Sequence, residues 1–185
     1  MLLLVLGLGA CASAPPTHPN AAPRPLVPPA SLGGERLVNQ VVRAAFGERE
    51  LTFNCVVTVK DGAMTLVGLS AVGVRLFTIR YDGKAVQSEA TVPIPGGFAP
   101  ERLLADLQLV FWPLASLQEP MRAAGWQLSE PALGTRRLRR GGQLIVEAHY
   151  SSEDAWSWRS WLVNFEYGYS QFTSQLRPLQ ASSLL

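Results

Sequence analysis

The side chains best suited to acid–base work are His149 and Glu147. They stand two residues apart, so in a strand both point to one face. An imidazole and a carboxylate so placed can hold and pass a proton. A hydrolase would also need a nucleophile, oxyanion donors and a pocket. The chain has no Gly-x-Ser-x-Gly and no His-Glu-x-x-His motif, so the pair is expected to be a solvated polar face. Cys55 is the second chemical candidate. It alternates with Phe53, Val57 and Val59, which predicts a buried, inert thiol. With Cys11 it makes two cysteines, too few for a metal motif. No cofactor is implied.

Arg136, Arg137, Arg139 and Arg140 cluster beside Gly141-Gly142. Such a cluster can meet phosphate head groups, each residue contributing about 1 kcal/mol near an anionic surface. The plain alternative is a hairpin edge kept soluble by charge. Trp156, Trp158 and Trp161 lie close together, which suits a cavity mouth or a membrane surface. For Trp161 ordinary core packing is the simpler reading.

Residues 1–11 form a short apolar run ending in Leu8-Gly9-Ala10-Cys11. The run is far below the ~20 residues that span a bilayer. It resembles the lipobox of bacterial lipoproteins, in which the cysteine is lipidated and the leader, residues 1–10, is removed. The resemblance implies a membrane anchor at Cys11. Ala12 in the next position implies the outer membrane. Residues 11–31 then read as the lipidated cysteine and a linker. Seven of the 14 prolines fall between Ala12 and Pro29, so this stretch favours extended polyproline II. At ~3.1 Å per residue it reaches roughly 55 Å from the membrane.

The remaining residues, 32–178 with a tail at 179–185, suffice for one domain. Net charge is only +2, with 48% hydrophobic and 16% charged residues. That balance argues against nucleic acid and for a chain able to fill a core or line an apolar cavity.

Leu37, Val38, Val41, Val42 and Ala45 recur at helical spacing, which predicts a helix over Leu32 to Phe46. Alternation then predicts strands at Leu51 to Val59, Met64 to Leu69, Arg75 to Tyr81 and Ala85 to Val92. Asp61-Gly62 and Asp82-Gly83 mark hairpin turns. Pro100 opens a helix carrying Leu103, Leu104 and Leu107, interrupted at Trp112-Pro113. A second helix, with Pro120 inside it, runs from Leu114 to Ala124. The pair reads equally as a lid or as ordinary core-facing helices. Trp126 to Leu128, Thr135 to Arg140, Gln143 to Tyr150 and two strands within Trp158 to Leu176 complete the pattern. The fold class is mainly β with inserted helices, a curved sheet or barrel.

This order resembles the LolA/LolB group of periplasmic lipoprotein carriers and receptors. More closely it resembles outer-membrane lipoproteins found beside aryl polyene synthesis genes. The residues carrying that likeness are Arg75-Leu76-Phe77-Thr78-Ile79-Arg80-Tyr81-Asp82-Gly83, Pro100 to Leu109 with Trp112-Pro113, and Asn164 to Tyr169. The resemblance covers roughly residues 35 to 175. It implies a half-open antiparallel β-barrel with a helical lid over an apolar cavity. Leu103, Leu104 and Leu107 would roof that cavity, with Trp112, Phe53, Val57 and Trp161 lining it. Val72, at the tip of Ala71-Val72-Gly73-Val74, would touch the membrane. The expected function is non-enzymatic binding of a lipid-like ligand at the outer membrane: an acyl chain, an aryl polyene lipid or a lipoprotein anchor. The implied partners are the membrane, that ligand, and an inner-membrane exporter or periplasmic carrier. A structural or assembly subunit with a filled core is the alternative, and a lipid hydrolase using His149 the third.

Overall fold

The computed structural model describes residues 23–46, 48–91, 99–154, 157–164 and 169–175. Cys11 and Trp156, like the side chains of Trp158 and Trp161, lie outside what is described. The elements run β1 (Arg36–Phe46), β2 (Arg49–Lys60), β3 (Ala63–Leu69), β4 (Arg75–Tyr81), β5 (Val86–Ala90), α1 (Pro100–Phe111) and α2 (Leu114–Ala123). There follow β6 (Gln127–Ala132), β7 (Thr135–Arg140), β8 (Gln143–Asp154), β9 (Ser157–Asn164) and β10 (Tyr169–Gln175). The fold is thus mainly β with two helices among the described residues.

These ten strands form one antiparallel sheet in the order β5-β4-β3-β2-β1-β10-β9-β8-β7-β6. Two meanders, β1 to β5 and β6 to β10, meet where the last strand pairs with the first, from Gln40↔Gln175 to Phe46↔Tyr169. The edges, β5 and β6, are unpaired with each other, so the sheet is open rather than a closed barrel. The helices connect those two edges. Pro131 sits in β6, where an edge strand tolerates a missing N–H.

The hairpins follow local chemistry. Asp61 and Gly62 both take positive φ, as do Gly141 and Gly142, the two-residue geometry that matches strand twist. Gly68 on β3 opposes Phe77 on β4. A Cβ at Gly68 would fall 2.3 Å from the Phe77 ring, so the glycine lets that ring lie across the sheet. Phe77 in turn meets Phe53 edge-on, with centroids 5.5 Å apart.

The sheet must curl. The α1 helix touches both β5 and β8, which stand seven strand spacings apart, about 34 Å if flat. Twelve helical residues are only about 18 Å long. Every residue from Leu103 to Val110 is buried. A helix with one wet face would not be, so α1 is covered on both sides.

Two expectations are corrected here. Residues 36–46 form a strand, not a helix. Val38, Gln40, Val42 and Ala44 point into the core, a period of two disguised by an inward glutamine and by apolar residues outside, such as Leu37. Among the described residues, packing also includes Arg24, ahead of residue 32. Val27 and Pro29 are buried, and the single 3-10 turn Pro29–Leu32 contacts β2 and β3. The end of the expected linker is a strap over α1.

Candidate ligand site

Phe53, Val57, Leu103, Leu104, Leu107 and Trp112 belong to one buried cluster between the inner sheet face and α1. The tertiary structure therefore brings together six of the seven residues expected around a cavity. The seventh, Trp161, is placed only by its backbone, opposite His149 on β8 and Phe172 on β10.

The α1 helix ends at Phe111 because Pro113 forces Trp112 out of helical geometry, with ψ 148°. Its two exposed flanks in sequence terms, Asp106 and Gln108, are buried by the strap. Gln108 bonds both backbone groups of Val27. Arg24 forms a buried ion pair with Asp106. Burial pushes the Asp106 carboxyl above the usual carboxylate range, against the pull of the Arg24 guanidinium. Trp112 donates from Nε1 to Ser31 Oγ at 3.0 Å. The strap thus supplies polar partners for the outer side of α1, while the sheet supplies apolar contact for its inner side. Sequence reading missed Arg24, Asp106 and Gln108. Two polar residues inside an otherwise apolar helical stretch were the available signal.

The arginine cluster divides between the two faces of β7. Arg136 is buried and belongs to no surface: its Nη1 donates to the carbonyls of Leu109 at 2.6 Å and Trp112 at 2.8 Å. These are end carbonyls of α1, where positive charge is favoured. Arg136 also pairs with Glu130 at 3.3 Å and stacks over Tyr150. Its expected head-group role is corrected accordingly. Arg137 bonds Glu147 at 2.6 Å, and Arg139 donates to the Gly142 carbonyl at 3.0 Å. Arg140 lies over the Trp126 ring, 5.0 Å from its centroid.

Glu147 and His149 do share a face, and they touch at 2.8 Å. The cross-strand pairing Thr135↔His149 adds a hydroxyl, with Thr135 Oγ1 3.2 Å from His149 Nδ1. Hydroxyl, imidazole and carboxylate are in the order of a hydrolytic triad. Here, however, the carboxylate is also engaged by Arg137, whose bond leads the forces holding Glu147 below the usual range, with His149 second. Val72 is 85% exposed at the tip of the β3–β4 turn, and Val74 beside it is also exposed. Cys55 is buried, and no group of three potential metal ligands occurs among the described residues. No helix among them is long and apolar enough to cross a membrane.

Residues 37–174 match the family described as protein of unknown function DUF3261. The chain belongs to this family. The match begins in β1 and ends in β10, so DUF3261 spans the whole sheet and both helices, while the strap precedes it. No curated protein matches this DUF3261 chain.

Proposed function

We propose that this protein is a non-enzymatic outer-membrane lipoprotein, anchored at Cys11, that binds a lipid-like chain between its sheet and α1. The reading takes the open sheet as a half-barrel of LolA/LolB type and the helices with their strap as its lid. The cargo is an acyl chain, an aryl polyene lipid or a lipoprotein anchor, received from an inner-membrane exporter or a periplasmic carrier and passed to the outer membrane. The observation that carries this is the asymmetric seating of α1. Its inner side meets the sheet through apolar side chains, with Arg136 reaching only its end carbonyls, while its outer side is tied to the strap by side-chain bonds. Apolar contact is non-directional and worth about 25 cal/mol per Å², so a chain of suitable girth can replace it. Val72 fits a membrane-touching tip by its exposure.

A second reading, a structural or assembly lipoprotein, is favoured by the complete burial of Leu104 within one packed cluster. Leu104→Glu separates the two, because a buried ion must shed its water. A lid that swings outward loses a fluorescent acyl probe with modest change in melting temperature. A filled core unfolds. Unchanged probe binding would remove α1 from the site. Cys11→Ala tests the anchor: a mature-size species still in the outer-membrane fraction would refute it.

A further inference from the structure

Trp126, directly after α2, is 3% exposed. A buried indole N–H ordinarily finds an acceptor, as Trp112 does in Ser31. The Trp126 Nε1 has none, and neither has the buried Nη1 of Arg140. The two side chains are in contact, since the Arg140 guanidinium covers the Trp126 ring. The other three arginines of the cluster already donate to named acceptors. Two adjacent buried donors, one of them charged, are therefore left without an acceptor, a costly state that an anion relieves. Trp126 also lines a groove of about 520 Å³ between α2 and β6, with Ala115 and Leu128 in its apolar wall. The carboxylate on that groove, Glu119, is neutralised by Arg122 at 2.7 Å.

We propose that Trp126 and Arg140 form a binding site for a carboxylate or phosphate group, with the groove taking the atoms attached to it. Where that group is the head of the lipid-like ligand, the inference rests on the function proposed above. A free anion would use the same two donors without it.

The test is calorimetry on the full chain with inorganic phosphate, octyl phosphate and octanol. Arg140→Gln is expected to weaken octyl phosphate about tenfold or more and to leave octanol unchanged. Trp126→Phe, which keeps the ring and removes the N–H, should weaken it severalfold. Thermal melts confirm that both variants fold. Arg140-dependent binding of inorganic phosphate identifies a free-anion site, and binding of octyl phosphate alone identifies a head-group site; both support the proposal. Equal affinities in wild type and both variants, or no anion binding by the wild type, would overturn it. If octanol fails to bind while phosphate binds through Arg140, the apolar-ligand function falls and the anion site stands.

Discussion

Gln108 exchanges two hydrogen bonds with the backbone of Val27. The Val27 N–H donates to Oε1 at 2.9 Å, and Nε2 donates to the Val27 carbonyl at 2.7 Å. A glutamine amide offers the same donor and acceptor as a peptide edge. One side chain of α1 therefore stands in for a strand residue and fastens an extended strap.

Gln108→Leu should release that strap. It leaves both Val27 groups buried and unpaired, at a cost of about 2–4 kcal/mol. Gln108→Glu should do at least as much damage, because a carboxylate repels the Val27 carbonyl. Hydrogen exchange over residues 24–32 is expected to rise well before the sheet opens. Equal protection in the variant would show that other contacts hold the strap.

Arg136 should be a stability residue. Arg136→Ala strips donors from two end carbonyls of α1 and leaves Glu130 without its cationic partner, held only by the Tyr150 hydroxyl and the Gly134 N–H. A loss of about 3 kcal/mol is expected, which is roughly 6–12 °C in Tm for a domain of this size. Arg136→Lys should recover only part, since an ammonium lacks the planar fork. A wild-type Tm for the alanine variant would contradict the assignment.

Gln40 should be replaceable with a gain. It is buried on the inner face of β1, where its amide has no strong hydrogen bond and meets only the Cys55 thiol, weakly. Gln40→Leu, close in volume, is expected to stabilise by about 1–3 kcal/mol; a fall in Tm would mean that the thiol contact outweighs the cost of burying the amide. Its cross-strand neighbour is Cys55. Burial pushes the Cys55 thiol up to about 12, with the Gln40 amide pulling weakly the other way. Labelling of Cys55 by a bulky thiol reagent should therefore wait for unfolding, and rapid labelling of the native protein would refute its burial.

Glu147 should give the fold an acid-sensitive increment. Arg137 and then His149 hold its carboxyl below the ordinary value of 4.5. A depressed folded pKa contributes stability above the unfolded value and loses it as pH falls through the folded one. Arg137 is 40% exposed, so the increment at neutral pH is only about 0.5–1 kcal/mol. Urea melts of Glu147→Gln and wild type should differ by that amount at pH 7 and converge below pH 4.5. A constant offset at all pH values would contradict the linkage.

Much of the fold is written in short stretches of chain. Asp61-Gly62 and Gly141-Gly142 are turns because their residues accept positive φ. Pro100 and Trp112-Pro113 bound α1 because proline suits a helix start and forbids its continuation. The alternation around Cys55 places the thiol inside. Each of these depends on neighbours a few residues apart, and each can be read from the sequence alone. Three features cannot. Residues 36–46 carry a helical stripe, yet pairing with β2 on one side and β10 on the other makes them a strand; backbone hydrogen bonds to distant segments outweigh a local period. The proline-rich stretch behaves as a tether by composition, but Gln108 and Asp106, some eighty residues away, hold its last part against α1. The four arginines look alike in sequence, and only the orientation of β7 decides which are buried. Local propensity and spacing determined the hairpins, the helix ends and the fate of Cys55. The tertiary structure decided which polar groups meet in the interior, because a buried donor takes its acceptor from whatever segment the fold brings within reach.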